Sequence, residues 1–93
     1  MDQWFVYILR CGDGTLYTGM TDSIPRRLAA HRAGRGAKYT RGRGPLVLCY
    51  VERCPDKSAA LRREREIKTL PRGKKLTLCG AWQGSNENEE CLR

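Results

Sequence analysis

Trp4-Phe5-Val6-Tyr7-Ile8-Leu9-Arg10, then Cys11-Gly12-Asp13-Gly14, then Thr15-Leu16-Tyr17-Thr18-Gly19-Met20, is the stretch that decides the fold. Two runs of apolar, aromatic and β-branched residues flank a short glycine-rich segment, the pattern of an antiparallel hairpin. Side chains alternate between faces with period two, so register decides whether Tyr7 and Tyr17 share a face. They share one when the loop has an odd number of residues. A three-residue loop with a left-handed glycine meets that condition and is expected to set Tyr7 directly across from Tyr17.

Downstream, Asp22 or Ser23 can cap a helix in which Pro25 falls in the first turn, where its missing N–H does no harm. Gly34 suits the helix end. Ile24, Arg27, Leu28 and His31 stand at i, i+3, i+4 and i+7, so Arg27 and His31 are neighbours on the face turned toward the protein. After a basic, glycine-rich loop from Gly34 to Gly44, Leu46 to Glu52 reads as a third strand, its unbroken apolar run suggesting a central place in the sheet. A second long helix is expected over Lys57 to Leu70, begun by Asp56 or Ser58 and stopped by Pro71. Weighing Ala60, Leu61, Ile67 and Leu70 at about 100° per residue, Glu64 lies roughly 50° from the centre of the apolar stripe and Glu66 roughly 110° away. Only Glu64 faces inward. Arg72 to Cys79 reads equally as a strand or a helical turn. The expected fold is α+β over residues 1–82, a three-stranded, mainly antiparallel sheet flanked by helices. An acidic tail expected to be disordered follows over residues 83–93.

The 93 residues carry a net charge of +8, and residues 1–82 alone hold 17 bases against 7 acids. A single small domain that basic suits a polyanionic partner, because each neutralised phosphate releases counterions. Five cysteines, none in a Cys-x-x-Cys pair, and a single histidine argue against a structural zinc site and for reduced thiols. The amino terminus lacks the basic and apolar regions of a signal peptide. No apolar run approaches the ~20 residues of a membrane span. A cytoplasmic protein without membrane contact, monomeric or weakly dimeric, is expected.

Taken singly, the polar residues have ordinary readings. Tyr7 and Tyr17 are strand aromatics, Arg27 a long side chain lying along apolar surface, His31 a helix histidine with a structural hydrogen bond. An inward Glu64 is either paired, with Arg27 or another arginine, or bound to a cation. The loop carries Arg35, Lys38, Arg41 and Arg43 and no acid. Its glycines let the backbone approach phosphates, and Tyr39 offers a stacking face for an unpaired base.

Taken together, Phe5-Val6-Tyr7, Tyr17-Thr18-Gly19, Arg27 eight residues after Gly19, His31, and Glu64 four residues after Ala60 resemble the GIY-YIG nuclease family over roughly Trp4 to Leu70. The run Gly36 to Gly42 resembles its small stand-alone, UPF0213-like members and the structure-selective subunit of eukaryotic branched-DNA nucleases. The resemblance implies one divalent ion, Mg²⁺ or Mn²⁺, on Glu64. It implies Arg27 as charge stabiliser, Tyr17 as general base, Tyr7 as positioner, and His31 as proton relay or phosphate contact. DNA would be the partner and phosphodiester hydrolysis the reaction, in repair or recombination. The domain is too small to carry a separate reading module, so branched, flapped or gapped DNA is the expected substrate, with a protein partner adding specificity. Phe5 and Thr18 replace the first glycine and the isoleucine of the name. Met20 stands where the excision-repair branch has a lysine, and Leu76 where it has an asparagine. The rival readings are a nucleic-acid-binding module of the same fold that no longer cuts, and a protein-interaction domain whose basic loop docks an acidic partner.

Overall fold

β1 (Trp4–Arg10) and β2 (Leu16–Thr21) form the expected hairpin in the computed structural model, which describes residues 3–83. Cys11 N–H donates to the Thr15 carbonyl at 2.8 Å and Gly14 N–H to the Cys11 carbonyl at 2.9 Å, so the tight loop is Gly12-Asp13-Gly14. Gly14 has φ 87°, the left-handed conformation open to glycine. The register differs from expectation by two residues: Tyr7 pairs with Gly19, and Tyr17 with Leu9. A slip of two preserves faces, so the tyrosines still lie on the same side.

The α1 helix (Ile24–Arg32) starts at Ser23, whose hydroxyl accepts from Arg26 N–H at 3.4 Å. Its buried residues are Ile24, Leu28 and His31, the stripe read from sequence. After a 3₁₀ turn (Lys38–Thr40) comes β3 (Val47–Cys54), which pairs with β1, giving the order β2-β1-β3. β3 is therefore an edge strand, and the expected central position is wrong. Its apolar run has another cause: the register with β1 shifts between Ile8 and Leu9, leaving Cys49 as an extra residue. Cys49 and Tyr50 consequently join the same core cluster, while Leu48 belongs to the other.

The α2 helix (Lys57–Thr69) is capped by Asp56, which accepts from Ala59 N–H at 2.8 Å. Leu70, ahead of Pro71, is extended at φ −69° and ψ 144°. The undecided segment after it is a helix, α3 (Arg72–Gln83), whose first turn bonds back to the Pro71 carbonyl. Gln83 thus ends α3 instead of opening the tail, and residues 84–93 lie outside the described residues.

The sheet carries two cores. On the α1 face Tyr7, Leu9 and Cys11 pack with Ile24, Leu28, Leu46 and Leu48. On the other face Val6, Ile8, Cys49 and Cys54 pack with Ala60 and Ile67 of α2 and Cys79 of α3. Thr18, 4% exposed, sits among apolar residues with its hydroxyl unpartnered among the described residues. Since a buried lone hydroxyl is unfavourable, Thr18→Val is expected to stabilise the fold by about 1 kcal/mol. A urea midpoint lowered by that change would contradict it.

Candidate active site

Tyr7 and Tyr17 project from the α1 face with ring centroids 6.3 Å apart. Gly19, the cross-strand partner of Tyr7, explains how the Tyr7 ring lies flat there: a Cβ at position 19 would stand 2.5 Å from the Tyr7 hydroxyl and 2.7 Å from Cζ. From α1, His31 Nε2 lies 2.8 Å from the Tyr7 hydroxyl, and Arg27 Nε–H donates to that hydroxyl at 3.4 Å. His31 also sits edge-on to Tyr17, with centroids 5.4 Å apart. Four of the five expected residues are therefore in mutual contact.

Glu64 reaches the group from a different layer. It is carried by α2, which packs against β2 and β1 with Ala60 and Ile67 in the core on the other side of the sheet. Its charge nonetheless acts on both phenols, and its side chain is 16% exposed, against 66% for Glu66. The inward reading of Glu64 and outward reading of Glu66 hold. Among the described residues its ion-pair partner is not an arginine but Lys68, one turn away at 3.7 Å.

Burial pushes the Tyr7 hydroxyl up to about 12, against the hydrogen bond from Arg27. Tyr17 is likewise raised, mainly by burial and further by Glu64, with Arg27 opposing. The chain's own groups therefore keep both as phenols at neutral pH. His31 is lowered by burial and then by the charge of Arg27, so it is held neutral. Burial raises the thiols of Cys54 and Cys79, the latter to about 12, which leaves them unreactive.

Beside this cluster Tyr39, from the 3₁₀ turn, stacks on Tyr17 with centroids 5.8 Å apart and planes at 27°. The Arg43 guanidinium lies over the Tyr39 ring at 4.5 Å and pairs with Asp13. Tyr39 thus touches the tyrosine group while remaining 42% exposed, and Arg43 is ion-paired within the protein. Arg35, Lys38 and Arg41 are exposed.

A family profile described as the GIY-YIG catalytic domain matches residues 3–77. The chain belongs to the GIY-YIG family. Among its relatives, a UPF0213 protein of Natronomonas pharaonis is 59% identical over 74 residues, covering 80% of this chain and 87% of that protein. A UPF0213 protein of Oceanobacillus iheyensis is 53% identical, with coverages of 83% and 90%. The solution structure of a UPF0213 protein from Bacillus halodurans is similar at 47% identity and TM-score 0.59, covering 94% of this chain and 93% of that one. A protein from E. faecalis is similar at 32% identity and TM-score 0.61.

Within this GIY-YIG domain, three features escaped the sequence reading. Thr40 is 2% exposed with its hydroxyl 2.9 Å from His31 Nδ1. Arg72 and Lys75 of α3 line a cleft of about 220 Å³ with Thr15, Leu16 and Tyr39. Met20 packs into the core on the far face, away from Tyr17. The spacing of Lys75, Leu78, Cys79 and Trp82 at i, i+3, i+4 and i+7 was the signal for α3; nothing in the sequence pointed to the Thr40 contact.

Proposed function

We propose that the domain is an endonuclease that uses one divalent ion, Mg²⁺ or Mn²⁺, to hydrolyse a DNA phosphodiester, and that it selects DNA by structure, as repair and recombination require. The observation that carries this reading is the meeting of two phenols, a guanidinium and an imidazole within reach of a lone carboxylate's charge. Among the described residues no three His, Cys, Asp or Glu side chains group as a metal cage. A single carboxylate fits Mg²⁺ or Mn²⁺, which keep their waters and share substrate phosphates, and does not fit zinc. Glu64 is the residue that would hold the ion. When bound, the ion supplies positive charge for the phosphate oxygens at the point of cutting.

Arg27, fixed on the Tyr7 hydroxyl through Nε, turns its remaining N–H donors to a non-bridging phosphate oxygen. Tyr7, enclosed by His31 and Arg27, positions. Tyr17 is less buried than Tyr7 and is the side chain that meets the attacking water, orienting it as the phenol and able to accept its proton only as the minor phenolate form. An unperturbed phenol is ionised in only about one part in a thousand at pH 7, a difference of about 4 kcal/mol, and burial raises Tyr17 further. That cost is the observation favouring the second reading, a nucleic-acid-binding module that no longer cuts. Incubation of branched and plain duplex DNA with the protein, with and without Mg²⁺ or Mn²⁺, separates the two. Metal-dependent nicks with 5′-phosphate and 3′-hydroxyl ends, favoured on branched DNA, are expected; binding without nicks would establish the module.

DNA is expected to run along the exposed Arg35, Lys38 and Arg41 and past Tyr39 toward Arg72 and Lys75. Lys38→Ala and Arg41→Ala should each flatten the slope of log K against log salt by about one unit, alike for all sequences. Arg43→Ala should do less, because Arg43 is already paired with Asp13. Tyr39→Ala should weaken binding to branched or single-stranded DNA by roughly 1–3 kcal/mol and to duplex far less. Unchanged slopes, and equal effects on both substrates, would place the DNA elsewhere.

A further inference from the structure

We propose that Thr40 is a positioning residue that fixes the tautomer of His31, and through it the hydroxyl of Tyr7. The argument starts from a group that can only accept. The Thr40 hydroxyl donates to the Ala37 carbonyl at 2.9 Å, which commits its one proton. Toward His31 Nδ1, 2.9 Å away, the Thr40 oxygen must therefore accept, and Nδ1 carries the imidazole proton. A neutral ring has no second N–H, so Nε2 is bare and accepts the Tyr7 proton at 2.8 Å. The Tyr7 oxygen, its proton committed, is left to accept from Arg27 Nε–H at 3.4 Å.

Every donor in this chain is thus directed by one backbone carbonyl. Gly36 makes the arrangement sterically feasible, since a Cβ there would run into His31 Nδ1 and Cγ. Tyr7, His31 and Thr40 are each at most 2% exposed, so water does not compete for these bonds. The turn that holds Thr40 also presents Lys38 and Tyr39, the proposed DNA contacts. The segment that meets DNA and the tyrosine at the site are consequently joined by directed hydrogen bonds.

The activity arm of the test rests on the nuclease reading, whereas the tautomer arm does not. His31 is the only histidine in the chain, so its two ring nitrogens are identified in a ¹⁵N spectrum without assignment of others. The wild-type spectrum should show a protonated Nδ1 and an unprotonated Nε2. Thr40→Val, which removes the acceptor, should shift the ring toward the Nε2–H form, and Thr40→Ser should keep the wild-type pattern. In the nicking assay Thr40→Val should lower kcat by about tenfold to a hundredfold with KM little changed, and Thr40→Ser should restore it. A wild-type ring protonated on Nε2 overturns the proposal even if Thr40→Val does not fold. A folded Thr40→Val with an unchanged ring pattern also overturns it. If the wild-type protein does not nick DNA, the nuclease reading fails and the ring spectra still decide the role of Thr40.

Discussion

Glu64→Ala and Arg27→Ala are each expected to reduce metal-dependent nicking by at least about a hundredfold while leaving the fold intact, the scale of a lost ion ligand or charge stabiliser. The fold should survive because neither residue holds a core together. Glu64 pairs with the half-exposed Lys68 at 3.7 Å, an i,i+4 pair of the kind that contributes a few tenths of a kcal/mol. Arg27 is half-buried at the rim of α1, and the buried stripe beneath it is supplied by Ile24, Leu28 and His31. Glu66→Ala, two positions along the same helix, removes a carboxylate that is 66% exposed and 3.8 Å from Arg63, and should be almost silent. Arg27→Lys should recover little activity, because a lysine cannot hold the Tyr7 hydroxyl and a phosphate oxygen with one planar fork. Nicking by Glu64→Ala equal to that of the parent would assign the activity to a contaminant or another site.

Gly19→Ala is expected to be nearly as damaging, although it adds a single methyl group and removes no polar group. The new Cβ would fall 2.5 Å from the Tyr7 hydroxyl and 2.7 Å from Cζ, closer than atoms in van der Waals contact can stand. Tyr7 is 1% exposed and packed among Leu9, Ile24 and Leu28, so its ring cannot swing away without opening the core. The displacement must break the 2.8 Å contact with His31 or the 3.4 Å bond from Arg27. Misplacement of a site group by about 1 Å is enough to lower turnover about a hundredfold. Circular dichroism should still report a folded protein. A Gly19→Ala variant with wild-type nicking and an unmoved Tyr7 ring would contradict this role for the glycine.

The family was legible in the sequence because its residues sit at fixed spacings on elements of strong periodicity. The α1 stripe, the left-handed glycine in the hairpin loop and the inward Glu64 follow from local rules alone. The register slip arose because a three-residue loop keeps Tyr7 and Tyr17 on one face whether it is centred on Gly12 or on Asp13. The bonds Cys11–Thr15 and Gly14–Cys11 centre that loop on Asp13, and they set Gly19 under Tyr7. β3 was misplaced because a bulge at Cys49 and cover on both faces imitate the apolar run of a central strand. Contacts between distant segments left no local signature. Tyr39 on Tyr17, Arg43 on Asp13, Arg72 on the Gly14 carbonyl and Thr40 on His31 depend on where the loop and α3 come to rest. The layer from which Glu64 arrives is of the same kind, since a helical stripe says which way a residue faces and not which side of the sheet it covers.

The claim at the centre of the account is that Glu64 binds the ion with which this domain cuts DNA. Titration of the isotope-labelled protein with Mn²⁺, read by paramagnetic broadening of its backbone resonances, tests that claim most directly. The expected result is broadening centred on Glu64 and on the strand segments bearing Tyr7 and Tyr17, abolished by Glu64→Gln and unaffected by Glu66→Gln. Broadening that ignores Glu64→Gln, or that centres on Asp13, Asp22 or Asp56 instead, would contradict it.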